Sequence, residues 1–172
     1  MIKLYKAGDV TRYWEAWNTS TKITIHWGIL GETGESREIA LSPEDDPNKI
    51  ILREAKQPRN DGYRKIATSK LQRLVIQYQV QGMGNSEDLK QRERIEHLMN
   101  ECLGWRGLGF CDGGDIGSGT VNIFCLVVDA KVAVPHVVDE LKAKRLIDGA
   151  VVAIGAKPKV VWPADFKAKL SI

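Results

Sequence analysis

Apolar and polar residues alternate with a period close to two across residues 10–41, the repeat of half-buried β-strands. Tyr13, Trp14 and Trp17 fall in one run, Ile23, Ile25 and Trp27 alternate with Thr24 and His26 in the next, and residues 36–41 offer a third. Between the runs stand Asn18-Thr19-Ser20-Thr21 and Gly31-Glu32-Thr33-Gly34, turn segments in which Asn and Gly tolerate positive φ, so an antiparallel meander is expected. Trp14 and Trp17 are three positions apart and therefore face opposite sides of their strand.

Beyond residue 41 the period changes. Asp46-Pro47 reads as an N-cap followed by proline at the first helical position, and Ile50, Ile51, Glu54 and Ala55 suit a short helix that Pro58 ends. Ser42-Pro43 is a competing start. Asn60-Asp61-Gly62 breaks the chain again, and residues 67–70 form a polar linker. Residues 71–80 then read as a strand, with Leu74, Ile76, Tyr78 and Val80 on one face and Val75 opposite. Ser86 caps a helix over residues 87–103, with Leu89, Ile95, Leu98, Met99 and Cys102 at helical spacing. A Gly-rich stretch precedes a continuous apolar run at 120–128, which has the pattern of a central strand. Residues 132–146 form a second helix, in which Pro135 fits only within the first turn. Residues 151–154 and 160–162 supply a last strand or hairpin.

The order strand, helix, strand, strand, helix, strand is that of the split βαβ, ferredoxin-like layout. The expected fold class is thus α+β in two domains: residues 1–66, an antiparallel sheet with a helix, and residues 71–172, a ferredoxin-like βαββαβ domain.

Composition narrows the function classes. No run of about 18 apolar residues is present, so a membrane span is not expected. Residues 1–6 lack the pattern of a secretory signal, and a cytoplasmic location is expected. The three cysteines, Cys102, Cys111 and Cys125, are never spaced as Cys-x-x-Cys, which favours reduced, mostly buried thiols over a disulfide framework or a zinc knuckle. Cys111 or Cys125 with His97 or His136 and an aspartate lacks any framing signature, so no catalytic residue, metal or cofactor is expected. The net charge of +3 is mildly basic, and any nucleic-acid footprint must come from local clustering.

The first third of the chain carries a specific combination: Tyr13-Trp14-Glu15-Ala16-Trp17, then Trp27-Gly28, then Gly31-Glu32-Thr33-Gly34-Glu35-Ser36, and a helix ending near Asp61-Gly62-Tyr63. Together these resemble the WGR domain, a family found in poly(ADP-ribose) polymerases and in bacterial proteins, over about residues 1–66. The resemblance implies a non-enzymatic module associated with DNA ends and with contacts to neighbouring domains, and a stacking role for Trp27 beside Gly28. The third letter of the family triplet is Ile29 here, and isoleucine donates no hydrogen bond to a phosphate, so the role of the family arginine does not carry over.

Two clusters supply candidate binding residues. Arg53, Lys56, Arg59, Arg64 and Lys65 crowd the helix and its exit, the pattern of an anion-binding edge; the alternative is a solvated helix balanced by Glu44, Asp45, Asp46, Glu54 and Asp61. Residues 107–120 pack six glycines with Asp112, Asp115 and Ser118. This is either a ligand or divalent-cation loop or a wide β-hairpin in which Asp112, Asp115 and Asn122 cap turns; the Lys and Ser/Thr ending of a P-loop is absent. An RNA-recognition layout shares the strand order and would place Tyr78 and Phe124 on its aromatic strands, but the Lys/Arg-Gly-aromatic pattern is lacking. Three functional readings follow: an interaction protein recognising DNA or a protein partner, a small-molecule or cation-dependent activity at 107–120, and a structural homodimer through the ferredoxin-like sheet.

Overall fold

The computed structural model describes residues 1–168 and residue 170. The chain divides into two compact units: residues 1–67 together with 105–107, and the remainder, 68–104 and 108 onward. The division falls inside the polar stretch 67–70, of which Thr68–Lys70 form a single 3₁₀ turn. The architecture is α+β, with two antiparallel sheets of four and five strands. No helix among the described residues is long and apolar enough to cross a membrane.

In the first unit β1 (Ile2–Lys6), β2 (Arg12–Asn18), β3 (Lys22–Ile29) and β4 (Glu35–Ala40) pair in sequence order. β1 is an addition to the expected meander; with only Ile2 and Leu4 turned to the core, its alternation is too short to stand out from sequence alone. One face of the sheet carries Leu4, Trp14, Ala16, Ile23 and Ile25, which pack with Ile51 and Ala55. Burying each of the two strand isoleucines stabilises by about 1.5–3 kcal/mol. Trp14 belongs to this core and Trp17 to the opposite face, beside His26.

Helix α1 (Pro47–Glu54) begins as the Asp-Pro pair dictates: Asp46 accepts from the backbone N–H groups of Asn48 and Lys49 at 2.9 and 3.3 Å. The competing Ser42 start is spent on a turn, because Asp45 Oδ2 accepts from both the N–H and the hydroxyl of Ser42 at 2.7 Å. These bonds hold the Asp45 carboxyl below its ordinary range. Pro58 does not end a helix. The break comes at Ala55, and α2 (Lys56–Asn60) resumes with Pro58 as its third residue, where a first-turn N–H would have had no helical partner.

The second unit contains β5 (Gln72–Gln79), α3 (Ser86–Gly104), β6 (Gly109–Gly117), β7 (Thr120–Val127), α4 (Ala130–Ala143), β8 (Val151–Ile154) and β9 (Lys159–Trp162). Its sheet runs β6-β7-β5-β8-β9 with every neighbouring pair antiparallel. β5 lies in the middle, so Leu74, Val75, Ile76, Gln77 and Tyr78 are all buried, on both of its faces. Residues 151–162 form a hairpin.

Three boundaries differ from expectation. The cap of α3 is Asn85 rather than Ser86: Asn85 Oδ1 accepts from the N–H groups of Glu87 (2.8 Å) and Asp88 (3.2 Å), and Asp88 answers by accepting from Asn85 N at 2.9 Å. This reciprocal box satisfies helix donors that a lone serine would leave open. Helix α4 starts at Ala130 behind a cap from Asp129 Oδ1, so Pro135 falls in the second turn rather than the first. The Gly-rich segment forms a hairpin, as the second alternative expected, but a tight one: it is itself the strand β6, paired along β7 from Gly109 to Gly117 with one bulge between Cys111 and Gly114. Glycine lets this edge lie close: a Cβ on Gly114 would stand 2.4 Å from the Asn122 carbonyl oxygen. Ser118 (φ 52°) and Gly119 (φ 83°) make the two-residue turn, both in the left-handed region that such hairpin turns require.

Candidate functional site

The Trp27-Gly28 pair sits at the end of β3, where its two side-chain positions serve opposite faces of the sheet. Trp27 lies across from Trp14 and Glu35, half-buried against the helix-side core. Gly28 lies across from Tyr13, and a Cβ there would stand 2.8 Å from Gly34 Cα and 3.0 Å from the Tyr13 hydroxyl. Gly107, from the segment 105–107, closes the other side: its Cβ would stand 2.3 Å from Tyr13 Cγ. The glycines around the motif therefore make room for one tyrosine.

Tyr13 leads into a buried polar network with His26, Glu15 and Lys3. Its hydroxyl stands 3.1 and 3.0 Å from the carbonyl oxygens of Glu32 and Thr33, to one of which it donates, and 3.0 Å from His26 Nε2. His26 Nε2 is 2.6 Å from the Thr33 carbonyl oxygen, and Nδ1 is 2.8 Å from Glu15 Oε1. Carbonyl and carboxylate oxygens only accept, so any hydrogen bond from the ring to Thr33 or Glu15 is donated by the imidazole. Glu15 Oε2 takes the Lys3 ammonium at 2.7 Å, which completes a Lys3–Glu15–His26 chain with His26 1% and Glu15 3% exposed. Trp17 and Trp105 meet the His26 ring edge-on, with centroids 6.1 and 5.0 Å away. Burial first, and then the charges of Glu15 and Glu32 against a counteracting Arg106, push the Tyr13 phenol well above the ordinary tyrosine range. Burial with Glu15 and Tyr13 does the same to Tyr5. A lone Glu within 13–17 and a lone His between Ile25 and Trp27 were the available signals. Nothing local announced residues 105–107.

The cationic residues gather along a different edge. Tyr5 and Arg64 exchange both backbone hydrogen bonds at 2.8 Å, so the chain leaving α2 runs antiparallel to β1. This brings Lys6 over the Tyr63 ring, 5.9 Å from its centroid. The Arg64 guanidinium turns back to donate to the carbonyl oxygens of Arg59 (2.6 Å) and Tyr63 (2.8 Å), which closes the end of α2. Arg53, Lys56, Arg59, Arg64 and Lys65 are all exposed. Between Lys49 and Lys65 six Lys/Arg face two carboxylates, Glu54 and Asp61. Glu54 is held by Arg37 of β4, and Asp61 accepts from Gln57 at 2.9 Å. Arg53 lies 3.4 Å from Glu54 and is partly drawn into that pair. Trp27 packs into the core rather than standing beside these cations as an open stacking platform.

Asp112, Asp115 and Ser118 are exposed along β6 and its turn. Asp115 lies across from Asn122 and accepts from its Nδ2 at 2.8 Å, while Asn122 Oδ1 accepts from Gln77 Nε2 at 2.7 Å. This is a cross-strand ladder. Ser118 is half of the hairpin turn. Among the described residues no group of three or more His, Cys, Asp or Glu is placed to hold a metal ion. Tyr78 pairs across from Val121 and Phe124 from Val75, so the two aromatics point to opposite faces of the sheet and cannot stack neighbouring bases. No protein-family model, curated protein or solved structure matches this chain.

Proposed function

We propose that this chain is a non-enzymatic interaction protein whose N-terminal unit, a WGR-like module, binds DNA along the edge formed by α2 and β1. The observation that carries this reading is the Tyr5–Arg64 bridge, which brings Lys6 over the half-buried Tyr63 ring at the exit of α2, where Arg59, Arg64 and Lys65 are exposed. Cations closely spaced along one edge suit a polymer that carries a charge every ~1.7 Å of its axis. Glu54 is paired with Arg37, and six Lys/Arg against two carboxylates over residues 49–65 leave the edge cationic. Ile29 plays no part in this mode, and Trp27 acts as a packing residue.

In the second unit, the order β6-β7-β5-β8 with α3 and α4 as crossovers agrees with a ferredoxin-like layout, and β9 would extend it by one strand. That unit would then be a scaffold accompanying the binding module.

Fluorescence anisotropy of a labelled DNA duplex with the full chain tests the reading. Binding should weaken steeply between about 50 and 200 mM salt, with a log–log slope near −0.9 per phosphate neutralised. The double variant Arg59→Ala, Lys65→Ala, which leaves the Arg64 cap intact, should weaken binding and flatten the slope by about 2. Affinity unchanged by both salt and substitution would overturn the assignment.

A further inference from the structure

The second unit contains a pair of thiols that DNA binding does not use. Cys111 of β6 and Cys125 of β7 are direct cross-strand partners, and their sulfur atoms stand 2.9 Å apart. A further approach of roughly 0.9 Å reaches the covalent S–S distance of about 2.05 Å. The two are unequal. Cys125 is fully buried, whereas Cys111 is half-exposed on an edge strand. Hydrogen bonding to Cys111, and then burial, hold the Cys125 thiol well above the ordinary cysteine range, so Cys125 keeps its proton. The Cys111 backbone N–H is anchored to Asn100 Oδ1 at 2.9 Å. Immediately after Cys111 the ladder is interrupted by the bulge, where Gly113 takes φ 93° with no atom within 4 Å of a Cβ placed there. β6 thus has room to adjust beside its anchored cysteine. The third thiol, Cys102, is directed to the His136 carbonyl oxygen on α4.

We propose that Cys111 and Cys125 form a reversible dithiol–disulfide pair whose oxidant is a small hydroperoxide. The Cys111 thiolate attacks a peroxide oxygen: an S–O bond forms, the O–O bond breaks, and the departing hydroxide takes a proton and leaves as water. The Cys125 sulfur then attacks the sulfenic sulfur: the S–S bond forms, the S–O bond breaks, and the hydroxide leaves with the Cys125 proton as a second water. The two thiols lose two electrons and two protons, and hydrogen peroxide becomes two waters. A dithiol reductant restores the pair by exchange.

The test is treatment of the reduced full chain with hydrogen peroxide, followed by thiol counting and intact mass. The count should fall from three to one, the mass should drop by two hydrogens without dimer formation, and a non-reducing digest should contain the Cys111–Cys125 cross-link. In Cys125→Ser the sulfenic acid on Cys111 should persist and be trapped by a 1,3-dione. Cys102→Ala should still close the bond. A folded wild-type chain that keeps all three thiols, joins Cys102 instead, or gains oxygen at Cys111 without a cross-link would overturn the proposal. The wild-type digest decides even where a variant fails to fold.

Discussion

Tyr13 and Gly107 are in direct contact although residues 68–104, which lie between them in the chain, belong to the other unit: a methyl group on residue 107 would stand 2.3 Å from Tyr13 Cγ. Gly107 also has φ 62°, in the left-handed region. Gly107→Ala combines a clash with backbone strain and is expected to destabilise the chain by at least about 2 kcal/mol. Denaturant unfolding measures the loss, and an unchanged midpoint would contradict the contact. Repeating the substitution in a Tyr13→Ser background should recover the part that comes from the ring, because a double-mutant cycle isolates the pairwise term.

The Lys3–Glu15–His26 chain responds unequally to its members. Tyr13→Phe removes one hydroxyl and leaves a carbonyl short of a donor, a loss of about 1–2 kcal/mol. Glu15→Gln leaves the largely buried Lys3 ammonium facing a neutral amide and should cost about 3 kcal/mol. Thermal melts of the two variants rank them, and a Glu15→Gln protein as stable as wild type would show that the carboxylate is not the counter-ion of Lys3.

Alkaline pH should unfold this protein through its tyrosines. Burial raises the phenols of Tyr5, Tyr13 and Tyr78 in the folded chain. The folded state therefore keeps protons that the unfolded state releases above about pH 10, and stability that is fully present below that value is lost as pH rises through it. Tyrosinate absorbance and circular dichroism followed together should change in one step for these three residues. Phenols that ionise while the far-ultraviolet signal stays native would refute the assignment.

Asp46→Ala removes the acceptor for the N–H groups of Asn48 and Lys49, and should cost about 1 kcal/mol. Hydrogen exchange should speed at residues 48–50 while β2 and β3 stay protected. Equal exchange in variant and wild type would show that Pro47 alone fixes the helix start.

The strands β2, β3, β5 and β7 and the start of α1 were readable because each carries its signal locally, as period-two apolar runs such as Ile23-Thr24-Ile25 or as the Asp46-Pro47 pair. β6 was not, because its glycines are chosen for close approach to β7 and leave the segment without strand-like side chains. The cationic residues could be named from sequence, but their convergence with Lys6 depends on the Tyr5–Arg64 bridge, a pairing with no local signature. Gly28 was conspicuous for a reason the sequence could not supply: it is hemmed in by the backbone of Gly34 and by the hydroxyl of Tyr13, fifteen residues earlier in the chain.

The discontinuity of the first unit orders events during synthesis. Its sheet and both helices are complete once residue 67 has emerged from the ribosome, but the loop that closes over Tyr13, Trp17 and His26 arrives only with residues 105–107. At ordinary elongation rates that is a delay of roughly two to eight seconds, long beside the folding time of a small domain. Throughout that interval Tyr13, Trp17 and His26 lack the cover that Trp105 and Gly107 give them in the finished unit.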